Sequence, residues 1–441
     1  MTEPTPIASR LVCHGCGTEV PSTELLPFVC AHRDSDEVDH LPTRVLDSKL
    51  LQEPVVDVDS EHPFVRYRSL LHVWHLARAR GVSDHEYCTV VARLDQQVAA
   101  VSGCGFRRTP FALAPRLGAA LTGEPDVWIK DETNNVAGSH KARHLFGILL
   151  HLELLGDAIP ATTPLAISSC GNAALAAAHL AAAARRPLQV FVPEWGDAGT
   201  ISQLAELGAE VNVCKRDETQ AGDPCYHAFR AAVGAGALPF CCQGSENALT
   251  IDGGRTIAYE ISEALQDNCP NIGLVRFFVQ VGGGALASAC VQGFADAVQV
   301  GWLPVLPRIH AVQAQGGAPL DRAFRKIIEA GGRRGLAQAA QHRSDFMWPW
   351  ETAPYSIATG ILDDETYDWW EIVAGIMASG GESVVAEESQ LKDAWEIAQR
   401  STEIPVCATG AAGLAGALQV ASSERWRTGE TTVVLFTGVK R

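Results

Sequence analysis

Three stretches of this chain carry residue types that could do chemistry together. The first runs from Glu132 to Arg143 (ETNNVAGSHKAR) and contains Lys141 behind a glycine and a serine. Gly138 admits close backbone approach, Ser139 offers a hydroxyl, and a helix predicted to start at the lysine supplies N–H groups without helical partners. A lysine amine set among apolar residues is discouraged from its charged form, which makes it a better Schiff-base former. Taken alone, the same residue reads better as a solvated surface lysine.

The second stretch, Ser168-Ser169-Cys170-Gly171-Asn172, lies between an apolar run and an alanine-rich helix. Hydroxyls and unpaired N–H groups at a helix start make a seat for a carboxylate or phosphate. A plain N-cap is the simpler reading, although five small or polar residues exceed what a cap needs. The third, Val281-Gly282-Gly283-Gly284-Ala285, follows the apolar run Leu274 to Val281 and opens the next helix. Three glycines there present backbone N–H groups to an anion, helped by about half a positive charge at the helix end. Neither the Walker lysine nor GxGxxG spacing accompanies them.

A separate group sits near the N-terminus: Cys13 and Cys16, then Cys30 and His32, and the charged run from His32 to His40. Two thiols three positions apart form a zinc knuckle, and Cys30 with His32 or His40 would complete a tetrahedron. We take Cys13, Cys16, Cys30 and His32 as the candidate set. Four protein ligands would make such a zinc structural. A second CxxC pair is missing, so a degenerate knuckle with free thiols is the other reading.

The elements that must hold these loops follow from periodicity. Leu70, Leu71, Val73, Trp74 and Leu76, then Tyr87, Val90, Val91 and Leu94, have helical spacing, and Ser83 with Glu86 has the form of a capping box. Beyond residue 100, strands are predicted at 127–130, 164–168, 188–192, 210–213, 274–281, 308–312 and 432–436. Helices at 140–155, 172–185, 200–207, 253–266 and 285–297 lie between them. That alternation argues for an α/β chain with mostly parallel sheets flanked by helices.

Composition sets the outer limits. The 441 residues are 47% hydrophobic and 20% charged, an ordinary globular balance, with 35 basic against 51 acidic residues and a net charge of −16. A nucleic-acid or anionic-membrane surface needs the basic footprint this chain lacks. No apolar run approaches the roughly 18 residues that would span a bilayer, and MTEPTPIASR has no secretory pattern. The 13 scattered cysteines are then expected as reduced thiols in a cytoplasm.

The order of the three loops, with the C-terminal strand ending in Thr437-Gly438, resembles the fold-type II pyridoxal-phosphate (PLP) enzymes. These are the superfamily of threonine synthase, threonine dehydratase and cysteine synthase. Residues 246–260 are similar to a threonine synthase segment and 408–416 to one shared by synthases and dehydratases; the cysteine knuckle also occurs in some threonine synthases. The resemblance runs from about residue 100 to the end. It implies a two-domain, tryptophan synthase β-like architecture: an N-terminal extension (1–60), a helical lead-in and first part of the large domain (61–160), a small mobile domain (161–255) and the rest of the large domain (256–441).

By the same resemblance Lys141 would carry PLP as a Schiff base and shuttle the substrate's α-proton. Asn172 would bond the ring hydroxyl, Gly282, Gly283, Gly284 and Ala285 would cradle the phosphate, and Thr437 would face the pyridine nitrogen. Ser139, His140, Ser168, Ser169, Cys170 and Gly171 would line the substrate side. The implied reaction is β-elimination or β-replacement on a serine- or threonine-like amino acid through an aminoacrylate, by a homodimer. Threonine synthesis from O-phosphohomoserine, a non-catalytic PLP- or amino-acid-binding homologue and a zinc-held interaction module are the alternatives. The chain departs from the family's Pro-Thr-Gly-Ser-Phe-Lys in having Val136, Ala137 and His140, and has Ala142 where threonine synthases continue with Asp. His140 could serve as an added acid or base, or simply fill the aromatic's space.

Overall fold

Apolar runs bounded by turn residues become strands of two parallel sheets, and the helices between them cover both faces. The structure, a computed structural model, describes residues 7–51, 55–215, 223–269, 273–423 and 430–440; the first six residues, read above for a targeting signal, lie outside it. The strands are β1 (Ser9–Cys13), β2 (Glu19–Val20), β3 (Pro42–Leu46), β4 (Phe111–Leu113), β5 (Val127–Asp131), β6 (Leu165–Ser168) and β7 (Leu188–Pro193). They continue with β8 (Glu210–Cys214), β9 (Leu238–Pro239), β10 (Val275–Gln280), β11 (Arg308–Ala314), β12 (Glu382–Ala386) and β13 (Thr431–Phe436).

The larger sheet has the order β12-β11-β10-β13-β5-β4. Its strands are parallel except β4, which runs antiparallel to β5 at the edge. A wholly parallel centre must be covered on both faces, and β10 is accordingly buried at all six positions. The smaller sheet, β8-β7-β6-β9, is parallel throughout. A third sheet, β2-β1-β3, is antiparallel and belongs to the N-terminal segment.

The Ser83–Glu86 capping box forms as expected at the start of the Asp84–Ser102 helix. The Lys141–Leu155 and Ala285–Gln299 helices both pack along the Leu249–Asn268 helix. Gly253 permits one of these contacts: a Cβ there would lie 2.0 Å from the Arg143 carbonyl oxygen. The predicted division at residue 255 falls inside that continuous 20-residue helix, whose residues pack into two of the hydrophobic clusters. The three N-terminal strands and β4, β9 and β12 escaped the sequence reading: β4 and β9 are only three and two residues long, and β12 mixes Glu382 and Ser383 into its run. Among the described residues, no helix is long and apolar enough to cross a membrane.

Candidate active site

Strands β5, β13 and β10 are adjacent and parallel, so the loops leaving their C-terminal ends meet at one edge. After β5 the chain turns sharply at Ala137 (φ 53°) and Gly138 (φ 67°) before entering the Lys141–Leu155 helix. Ala137 holds a left-handed conformation that costs a residue with a Cβ roughly 1–2 kcal/mol. The turn is pinned to the segment after β13. Ser139 bridges Gly438, the Val439 N–H donates to Gly138 O (2.9 Å), and the His140 N–H donates to Thr437 O (3.1 Å). Lys141 therefore opens its helix, half-buried, beside Thr437 and Gly438. The Ser139 hydroxyl is buried there with no hydrogen-bond partner.

Thr437 is itself held. Gln280, the last residue of β10, donates from Nε2 to Thr437 Oγ1 (2.8 Å) and to the carbonyls of Thr409 (3.1 Å) and Gly410 (2.8 Å). Asn172 begins the Asn172–Ala184 helix on the other side of Gly438, where a Cβ would lie 2.8 Å from its Nδ2. Ser168, Ser169 and Cys170 are half-buried and Gly171 is exposed, so this loop faces the same opening. Ser169 Oγ accepts from the Gly171 N–H (3.4 Å). The Cys170 thiol is pushed up by burial, with Asp223 and Asp363 adding to the effect.

The glycine loop follows β10 directly. Gly284 adopts φ 99°, and the first turn of the Ala285–Gln299 helix leaves N–H groups without helical partners. One face of the loop is covered by residues 361–368, which explains the glycines. A Cβ on Gly282 would meet Asp363 Oδ2 at 2.4 Å, and one on Gly284 would meet Thr366 at 2.8 Å. Burial raises the Asp363 carboxyl, while the Lys141 charge and the Gly283 N–H pull it down. Asp368 is fully buried, with Gly244 N–H on Oδ2 (3.1 Å) and no partner on Oδ1. Its carboxyl is pushed up to about 7, chiefly by burial. Sequence reasoning missed both aspartates, which lie in a stretch without periodicity.

Behind the loop sits a buried ion cluster. Arg143 donates to Glu132 (2.8 and 2.9 Å), to Glu260 (2.5 Å) and to Thr256 (3.0 Å), and Lys130 pairs with Glu260. Burial works to raise Glu260, yet the charges of Arg143 and Lys130 hold it below its ordinary value. The cluster fixes the 132–143 turn from below. His140 is also buried; its Nδ1–H donates to Thr437 O (3.1 Å), and burial together with the Lys141 charge drives its pKa well below the ordinary value. Burial keeps the ring neutral, with Nδ1–H committed to the Thr437 carbonyl.

The N-terminal candidates require one correction. Ligand atoms of Cys13, Cys16, Cys30 and His40 lie within 4.8 Å of one another, and His32 is outside the group. The turn after Cys30 carries the His32 ring toward Thr18, 3.5 Å from its Oγ1, whereas His40 returns at the entry to β3.

The residues at the strand ends fit a planar, phosphate-bearing aldehyde. They combine a lysine at the rim, an orphaned buried hydroxyl at Ser139, a hydroxyl at Thr437 already engaged by Gln280, and a glycine-flanked helix start. Residues 105–438 match the family described as "Pyridoxal-phosphate dependent enzyme". The chain is 25% identical over 295 residues to a threonine synthase of Methanocaldococcus jannaschii, covering 67% of this chain and 65% of that enzyme, slightly under two thirds of its length. A threonine synthase of Methanosarcina acetivorans is 25% identical over 338 residues, covering 75% and 74%. Among solved structures, maize serine racemase superposes with a TM-score of 0.60 at 18% identity, over 80% of this chain and 93% of that one. The processed form of threonine deaminase isoform 2 from Solanum lycopersicum gives 0.57 at 17% identity, over 81% and 86%. These structures share the fold.

Proposed function

This chain belongs to the family of pyridoxal-phosphate-dependent enzymes, and we propose that it eliminates or replaces the β-substituent of a serine- or threonine-like L-amino acid. Thr437 carries this reading. Its Oγ1 accepts from Gln280, so the hydroxyl hydrogen is free to turn toward another acceptor. PLP, when bound, supplies an electron sink, and a ring nitrogen facing a neutral hydroxyl makes a weaker sink than one facing a carboxylate, which suits chemistry at Cβ more than transamination.

The chain's own residues divide the work. Lys141 Nζ would hold the cofactor at its aldehyde carbon and would serve as the base for the substrate's α-proton. Asn172 orients the ring hydroxyl, and the N–H groups around Gly282 to Ala285 receive the phosphate. Ser139, Ser168, Ser169, Cys170 and Gly171, at the start of the Asn172–Ala184 helix, would receive the substrate carboxylate. Movement of the unit built on β6 to β9, within 161–255, excludes water. A cytoplasmic location, supported by 13 cysteines that are all free thiols, and a homodimer, expected from the family resemblance alone, belong to the same proposal.

Threonine synthesis from O-phosphohomoserine is the second reading, favoured by relatives that carry the name threonine synthase. The test is an absorbance scan of wild type and Lys141→Ala, followed by assays of keto acid and ammonia from L-serine, L-threonine and O-acetylserine, and of threonine from O-phosphohomoserine. The proposal expects a cofactor band that Lys141→Ala alters, with turnover of the first group. Threonine formation alone would transfer the assignment to the second reading, and cofactor binding without turnover of any substrate would make the chain a binding protein.

A further inference from the structure

Among the described residues outside the lysine site, Cys13, Cys16, Cys30 and His40 bring four ligating atoms within 4.8 Å of one another. We propose that these four residues bind one structural zinc ion, and that the ion pins both ends of the 30–40 loop, which ties the small-sheet unit to the large one. The inference is independent of the reaction proposed above.

The spacing of the atoms is the first argument. Cys16 Sγ and Cys30 Sγ are 3.7 Å apart, and His40 Nδ1 lies 3.6 Å from Cys13 Sγ and 3.7 Å from Cys30 Sγ. A tetrahedral zinc with bonds of about 2.3 Å to sulfur and 2.0–2.1 Å to nitrogen requires S···S edges of about 3.8 Å and S···N edges of about 3.5 Å. These three of the six edges match within about 0.2 Å, and all four ligand atoms lie within 4.8 Å of one another. No disulfide joins these thiols.

The second argument is the partner of the histidine. His40 directs Nδ1 at the thiols and Nε2 at Asp36 Oδ1, 3.0 Å away. A ligand histidine characteristically donates its remote ring N–H to a carboxylate, which fixes the tautomer and orients the ring. Asp36 is exposed and four residues from His40, and the same oxygen also accepts from the Val38 N–H (2.9 Å), which holds the carboxylate in place for the ring. The knuckle is tight as well: the Gly17 N–H donates to Cys13 O (2.8 Å) and the Cys13 N–H to Thr18 O (2.9 Å).

The third argument is what lies between Cys30 and His40. Arg33 grips Glu246, which also takes Arg230 (3.1 Å), and Arg230 reaches Asp34 (3.0 Å). Arg230 stands on the Pro224–Gly234 helix, which packs on β6 and β7 of the smaller sheet. From the same loop, the Asp39 N–H donates to Ala340 O (2.9 Å) and Glu37 O accepts from the Arg343 N–H (3.0 Å), both in the large unit. His14, inside the knuckle, bonds Asp39 (3.1 Å) and stacks on Trp370 at 4.4 Å between ring centroids. Trp370 lies two residues from Asp368. An ion joining Cys30 to His40 therefore closes a strap whose two sides hold different parts of the molecule.

The test is metal analysis of the full-length protein and the absorption spectrum of its cobalt-substituted form. The proposal expects about one zinc per chain and the thiolate–cobalt bands of a tetrahedral site. His40→Ala and Cys16→Ser should lose the metal, while His32→Ala keeps it. Asp36→Ala, on the surface, should weaken metal affinity by about 10- to 100-fold. Absence of zinc together with absence of cobalt bands in wild type would overturn the site, as would loss of metal from His32→Ala but not from His40→Ala. Chelation should raise hydrogen exchange both in 30–40 and in 224–234; a rise confined to the knuckle would overturn the strap while leaving the metal.

Discussion

Gln280 donates its side-chain amide to the hydroxyl of Thr437 across 2.8 Å. Two carbonyls, of Thr409 and Gly410, share the same Nε2 and can only accept, so the amide's orientation is settled by its surroundings. Both residues are buried. Gln280→Leu should remove these hydrogen bonds at about 0.5–1.5 kcal/mol each, since the Gly410 carbonyl keeps the Thr437 N–H, and let the Thr437 hydroxyl rotate. We expect a lower melting temperature and an altered cofactor absorption band. Thr437→Val, which keeps the shape and removes the hydroxyl, should lower turnover, whereas Thr437→Ser restores most of it. Equal turnover in Thr437→Val and Thr437→Ser would remove the hydroxyl from the mechanism.

His140 tests the choice between an acid–base group and a space filler. Its ring is buried, its Nδ1–H is committed to a carbonyl, and burial keeps it neutral. His140→Phe should therefore keep turnover within about tenfold, below the contribution usual for a general acid or base. The pH–rate profile should keep its shape. Loss of an ionisation from that profile in the variant would contradict the packing role.

What was legible in the sequence was local. Lys141, Ser168 to Asn172 and Gly282 to Ala285 each follow an apolar run with small or polar residues, and such punctuation marks a strand end directly. Contacts between distant positions left no such mark. Gln280 looked like the tail of an apolar strand, although a polar residue inside a buried run must find partners, and that rule could have singled it out. Arg143 and Glu260 meet across 117 positions. His32 and His40 are equivalent by spacing, and only the turn after Cys30 separates them. Asp363 and Asp368 lie in an aperiodic segment whose course is set by packing on the glycine loop.

Arg143 should prove structural before anything else. Removing it by Arg143→Met leaves Glu132 and Glu260 buried with Lys130 as their remaining close cation. Breaking a buried ion cluster by deleting one partner typically costs about 3–5 kcal/mol. Denaturant unfolding should show a loss of that order, with Arg143→Lys intermediate because a single ammonium cannot reproduce the fork to both carboxylates. A loss below about 1 kcal/mol would mean that the cluster is solvated enough to behave as a surface pair.

Asp368 links the lysine site to stability through pH. Burial is the main cause of its raised pKa of about 7, with the charge of Asp39 adding to it and the Gly244 N–H and Lys141 opposing. Between its ordinary value of 3.8 and about 7, the folded chain holds a proton that the unfolded chain has released. The contribution is therefore fully present in acid and is lost as pH rises through that window, flattening above about 7. A shift of about three units corresponds to on the order of 4 kcal/mol as an upper bound. Buried His72, His75, His144 and His151 have depressed pKa values and act in the opposite direction as pH falls, so the reading is the difference between variant and wild type. Asp368→Asn keeps an oxygen for the Gly244 N–H and cannot ionise. Its stability relative to wild type should rise between about pH 5 and pH 8, measured by unfolding at each pH. A constant difference across that range would show that the Asp368 carboxyl ionises at its ordinary value.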